Sequence, residues 1–155
     1  METRVSIDAG QSAATFDTEI VQAPAVEGNQ WVNHLGVRFE LADASAEIWN
    51  SHFNILELFP HKQIFSPYLL LAGSAVFLNT GNEFYVRDDR ALSNILIMEN
   101  ESARRFRYAV GLAEESPVMQ ARRWSQPCFI EAMSGIDSQI CGQSLIHFDS
   151  DDIEL

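Results

Sequence analysis

Cysteine, lysine and long apolar runs are all scarce in this sequence, and each scarcity closes off a class of protein. Two cysteines, Cys128 and Cys141, cannot build a disulfide framework. They stand in no C-x-x-C or other zinc spacing, so they read as reduced residues inside apolar strand patterns. The longest apolar run, residues 68–78, contains Gly73 and Ser74 and falls well short of the ~20 residues a spanning helix needs. The start, Met1-Glu2-Thr3-Arg4-Val5, has no apolar signal region. Together these features predict no membrane partner, and a place in the cytoplasm or in a particle assembled there. Glycines are spread thinly, with no G-x-G-x-x-G or P-loop spacing. No G-x-S-x-G is present, and no two histidines stand four apart on a helical face. No catalytic set, cofactor or metal is therefore expected.

Acids outnumber bases by 22 to ten, for a formal charge of -12. Such an excess opposes general affinity for nucleic acid, because phosphate binding depends on positive charge to release counterions. It suits a protein partner or self-association. Nine of the ten basic residues are Arg and only Lys62 is Lys, a bias toward planar and stacked contacts. A chain of 155 residues, 46% hydrophobic and with ten Phe, three Trp and three Tyr, is sized for one globular domain spanning 1–155. The acidic end, 149–155, is expected to stay solvated and flexible.

Most of the chain reads as strand. In residues 31–41 the odd positions Trp31, Leu35, Val37, Phe39 and Leu41 are apolar, while His34, Arg38 and Glu40 lie between them. That is the period of a half-buried strand. Shorter strands are expected over residues 4–7, 15–21, 83–87, 93–99, 127–133 and 139–148. One helix is expected over residues 43–59, with Asp43 as its cap, Ile48, Trp49, His52, Phe53 and Leu56 on its apolar face, and Pro60 as its stop. The run 68–78 fits either a helix, for which Pro67 suits the first turn, or a buried strand; the helix is the reading taken. The expected fold is α+β: a mostly antiparallel β-sheet, as a sandwich or partly open barrel, with one or two helices packed on it.

Two polar groups stand out as candidate sites. His34, Arg38 and Glu40 share a strand face and form a secondary polar cluster. The stretch 103–126 holds Arg104, Arg105, Arg107, Arg122 and Arg123, half of all the basic residues. Phe106, Tyr108, Val110 and Leu112 alternate there with Arg105, Arg107, Ala109 and Gly111, and Glu114-Glu115-Ser116-Pro117 is a turn signal before a second run, 118–124. A helix over residues 104–112, capped by Asn100 or Ser102 with Glu101 and Arg105 four apart, competes but breaks the alternation. Pairing the two runs as a hairpin sets Phe106 against Trp124 and Tyr108 against Arg122 on the core side, and Arg107 against Arg123 on the other. Like charges in that position need an anion. The chain's own acids or an external anion or acidic partner can supply it, so Arg105, Arg107 and Arg123 are the candidate partner- or anion-binding residues.

The segment "FPHKQIFSPYLLLAGS", about a tenth of the chain, resembles the part of hot-dog dehydratases in which His-Phe-Pro leads through a second proline into a central helix. The resemblance implies a hot-dog relative with a cavity between helix and sheet. Here His61 follows Phe59-Pro60 instead of preceding it, and the family's helical acid would fall at Gly73. The leading expectation is a non-enzymatic protein-interaction module: an intracellular inhibitor, an immunity-type or accessory protein, or a structural component of an assembly such as a virion. The alternative is a small-molecule binder or enzyme using a helix–sheet cavity with His34, Arg38 and Glu40 or with His52.

Overall fold

Alternation of inward apolar and outward polar residues builds most of the elements. A computed structural model describes residues 1–52 and 55–125, with only the backbone of His52. Among the described residues the strands are β1 (Glu2–Ser6), β2 (Ala13–Glu19), β3 (Leu35–Glu40), β4 (Ile48–His52), β5 (Ile55–Leu58), β6 (Gln63–Phe65), β7 (Leu69–Ala72), β8 (Ala75–Asn79), β9 (Phe84–Asp88), β10 (Ala91–Ile97) and β11 (Arg105–Leu112), and one helix, α1 (Pro117–Ser125), follows them. All described pairings are antiparallel. They form a seven-stranded sheet, β1-β2-β11-β8-β7-β4-β5, and a four-stranded sheet, β3-β10-β9-β6. The fold is thus α+β and dominated by antiparallel sheet.

The inner faces of the two sheets share one core. Ile48, Leu70 and Phe77 from the larger sheet pack with Ile64, Tyr85 and Leu92 from the smaller. Farther along, Phe16 stacks on Tyr108 with centroids 5.2 Å apart, and Phe39 meets both edge-on. Between the sheets the core is partly polar. Asn79 Nδ2 donates to the Ser66 carbonyl and to the Tyr85 hydroxyl, each at 3.0 Å, and Asn94 Nδ2 lies 3.3 Å from that hydroxyl. Complete burial drives the Tyr85 phenol far above its ordinary pKa, so it is neutral at every physiological pH. Helix α1 covers the outer face of the larger sheet, where Val118, Ala121 and Trp124 pack with Leu69, Val76, Leu78 and Ala109.

Three expectations about local structure are overturned. The described residues among 43–59 form no helix. Asp43 does cap, but what it closes is a tight turn: its Oδ1 accepts from the Ser45 N–H at 2.8 Å and from the Ser45 hydroxyl at 2.7 Å. The chain then enters the β4–β5 hairpin, with Ile48 and Asn50 turned inward and buried. The run 68–78 is the β7–β8 hairpin. Gly73, at φ 58°, supplies the left-handed first position of its two-residue turn, and continuous apolarity reflects a strand pair covered on one side by the second sheet and on the other by α1. The central helix implied by the hot-dog resemblance is therefore replaced by strands. The third correction is α1 itself, which replaces the second arm of the expected hairpin: Pro117 takes its first turn, and Val118, Ala121 and Trp124 recur at helical spacing. The expected strand 31–41 begins only at Leu35, because Val32 N–H and Asn33 N–H both donate to the Asn29 carbonyl and turn the chain there. Strands 127–133 and 139–148, the end 149–155, and Cys128, Cys141 and His147 lie outside the described residues.

Gly111 is where β11 meets the loop before β2 most closely. A Cβ there would collide with the Ser12 carbonyl oxygen and with Ala13 Cα and Cβ. Gly111→Ala should therefore cost about 1–3 kcal/mol, the range for overpacking a fixed backbone contact. Urea denaturation of the purified variant measures it, and an unchanged midpoint would show that the β2–β11 approach is looser than described.

Candidate functional site

The odd residues of β11 meet the odd residues of β2, which sets the charge pattern of the outer face. Arg105 lies opposite Glu19 and Arg107 opposite Asp17. On the other side of β2, the edge strand β1 sets Glu2 opposite Glu19 and Arg4 opposite Asp17. Two cross-strand rows result: Glu2, Glu19, Arg105 and Arg4, Asp17, Arg107. Arg105 NH2 reaches Glu19 Oε1 at 3.3 Å, and Arg107 Nε reaches Asp17 Oδ1 at 3.9 Å. All four side chains are substantially exposed, Arg105 at 81%. Glu2 and Arg4, on the outermost strand, form no ion pair among the described residues. A shallow groove of about 450 Å³ runs over these rows.

Helix α1 borders the rows. The Trp124 indole N–H donates to Thr15 Oγ1 at 3.0 Å, which fixes the ring on the outer face, and the Arg107 guanidinium lies 5.7 Å from the ring centroid. Gln120 anchors the start of the helix. Its Nε2 donates to Ser12 Oγ at 2.7 Å and to the Leu112 carbonyl at 2.9 Å, while its Oε1 accepts from the Glu114 N–H at 3.1 Å. Arg123 pairs with Glu114, and that pair joins α1 to the chain leaving β11.

Of the predicted arginines, Arg105 and Arg107 do share one outer strand face. Arg123 does not stand opposite Arg107; it makes its ion pair with Glu114 on the link to the helix. The expected core-side partners of Tyr108 and Phe106 are also corrected. Tyr108 stacks on Phe16 between the sheets, and Trp124 lies on the arginine side, against Arg107. The carboxylates facing Arg105 and Arg107 belong to the chain itself. Asp17 and Glu19, two residues apart like Arg105 and Arg107, carried a signal for this pairing: equal spacing of opposite charges on two alternating strands.

The second cluster is only partly assembled. Arg38 NH1 reaches Asp88 Oδ2 at 3.0 Å, and Arg38 Nε reaches Glu40 Oε1 at 3.4 Å. His34 is elsewhere, on the turn before β3, where its Nδ1–H donates to the Gln30 carbonyl at 2.9 Å. Asp88, missed in the sequence, holds the larger share of the Arg38 contact. Beside this cluster an 810 Å³ cleft opens at one end of the sandwich, lined by Phe39, Phe77 and Val110 and by the acids Glu40, Asp43 and Glu47. Among the described residues, no group of three or more His, Cys, Asp or Glu side chains is gathered for a metal ion, and no helix is long and apolar enough to cross a membrane. Comparison with family models, curated proteins and solved structures gives no match to this chain.

The Asp89 backbone N–H and then the Arg38 guanidinium hold the Asp88 carboxyl below the usual carboxylate range. Its folded pKa lies below the unfolded one, so the linked stabilisation is present above the usual carboxylate pKa and is lost as pH falls through the lowered value. In a carboxyl-resolved NMR titration, Arg38→Gln should raise the Asp88 midpoint part of the way back, since the Asp89 N–H remains. An unmoved midpoint would remove Arg38 as a cause.

Proposed function

We propose that this chain is a non-enzymatic protein-interaction module that works in the cytoplasm, or in a particle assembled there, as an inhibitor, accessory or structural component. The observation that carries this reading is the exposed pair of charged rows over β1, β2 and β11, bordered by Trp124 and ending at an edge strand. Arg and Trp side chains held by packing are the residue types that interfaces use as anchors. Arg107 lies 3.9 Å from Asp17 and 5.7 Å from the centre of the Trp124 ring while more than half exposed, so its guanidinium remains accessible to a partner beside an aromatic ring. Arg105, beside it, stays largely in solvent and suits electrostatic steering. Arg123, engaged with Glu114, serves in this reading to fix α1 beside the rows.

A second reading, a small-molecule-binding protein, is favoured by the cleft beside Phe39, Phe77 and Val110. Two experiments separate the two. Affinity capture from the native source with the wild-type chain and with Arg105→Gln/Arg107→Gln should yield a bound protein whose affinity falls about tenfold in the variant and depends less on salt. Equal capture by both chains, together with thermal stabilisation of the wild type by small metabolites, would favour the cleft instead.

A further inference from the structure

Strand β1 is paired on one side only. Four of its five residues are exposed, and among the described residues its outer edge carries no backbone partner. Such an edge presents free N–H and C=O groups to any strand that matches it. The outer-face charges of β1 are also incompletely matched. The row Arg4, Asp17, Arg107 has two cations and one anion, and its outermost member is Arg4. The row Glu2, Glu19, Arg105 has two anions and one cation, with two carboxylates directly opposite each other and Glu2 outermost. Each row lacks at its open end the charge that ends the other.

We infer that β1 pairs antiparallel with β1 of a second copy of this chain, centred on Thr3, so that Glu2 of each copy faces Arg4 of the other. This rests on the interaction reading above and names the partner at the open end of the same rows. The register follows from the residues. Pairing about a two-fold axis perpendicular to the sheet keeps both outer faces on one side and sets residues of equal parity opposite each other. Centring on Arg4 sets Arg4 against Arg4, and centring on Glu2 sets Glu2 against Glu2. Only the register centred on Thr3 opposes the two signs, and it does so twice. On the other face it brings Met1 over Val5, which are 76% and 55% exposed in the single chain. Each row then runs on into the complementary row of the second copy, and the charge excess of one is balanced by that of the other. The two seven-stranded sheets become continuous across the axis.

Charge complementation tests this register. Sedimentation velocity of the full-length wild type should show a concentration-dependent dimer. Glu2→Arg and Arg4→Glu, each at an exposed position, should each weaken self-association by about tenfold or more, because two like-charged pairs replace two opposite ones. An equimolar mixture of the two variants should recover dimer, as a chain with arginine at both positions meets one with glutamate at both. A wild type that stays monomeric at every concentration would overturn the proposal, with the β1 charges acting instead to guard the edge. A dimer equally strong in the wild type and both single variants would overturn it as well. If the wild type is monomeric while capture of another protein still depends on Arg105 and Arg107, self-pairing fails and the interaction reading stands.

Discussion

Strand β11 is constrained on both faces at once, and the rest of the structure depends on how that conflict is met. Its even residues must be large, because Phe106 and Tyr108 help to close the sandwich against Ile97, Leu35 and Phe39. Its odd residues must shrink along the strand, since α1 lies across Ala109 and the chain at Ser12 and Ala13 presses against Gly111. Only the first half of the strand therefore has room outside for long side chains, and there stand Arg105 and Arg107. The register that fits Gly111 to Ala13 is the same register that sets Arg107 opposite Asp17 and Arg105 opposite Glu19. Packing at one end of β11 thus determines charge pairing at the other.

The arginines are consequently served from within at the centre of the sheet and left incomplete at its edge. Exposed ion pairs such as Arg105 with Glu19 contribute little to stability, on the order of 0–1 kcal/mol, so their value lies in the pattern they present. Trp124 adds an aromatic face to that pattern, beside Arg107 on the side of the helix. The imbalance is carried outward to Glu2 and Arg4, the two residues placed where another strand can reach them.

Alternation made the sheet legible in the sequence wherever one face is polar. Val37 and Phe39 against Arg38 and Glu40, and Phe106 and Tyr108 against Arg105 and Arg107, read as strands and are strands. Residues 69–78 gave no such signal, because second sheet and α1 cover both faces and nothing polar marks the outside. Residues 48–58 misled in a different way: Ile48, Trp49 and Leu56 fit a helical face, yet the hairpin is selected by pairing with β7, a tertiary partner that local spacing cannot display. Residues 117–124 read as a turn and a strand but are helix: Val118, Ala121 and Trp124 stand at helical spacing, and Pro117 takes the first turn. The polar site was half visible. Arg105 and Arg107 share a face as alternation requires, but Arg4, Asp17 and Asp88 join only through strand order. His34 separates from Arg38 because the turn held by Asn29 ends the alternation before β3 begins.

Residue-resolved native-state hydrogen exchange on dilute protein tests the central claim, that the β2–β11 register organises the structure. The amides of Phe106 to Gly111 should exchange only through global unfolding, at the slowest rates in the chain, while β1 exchanges faster by local fraying. Exchange of residues 106–111 as fast as that of β1 would contradict the account.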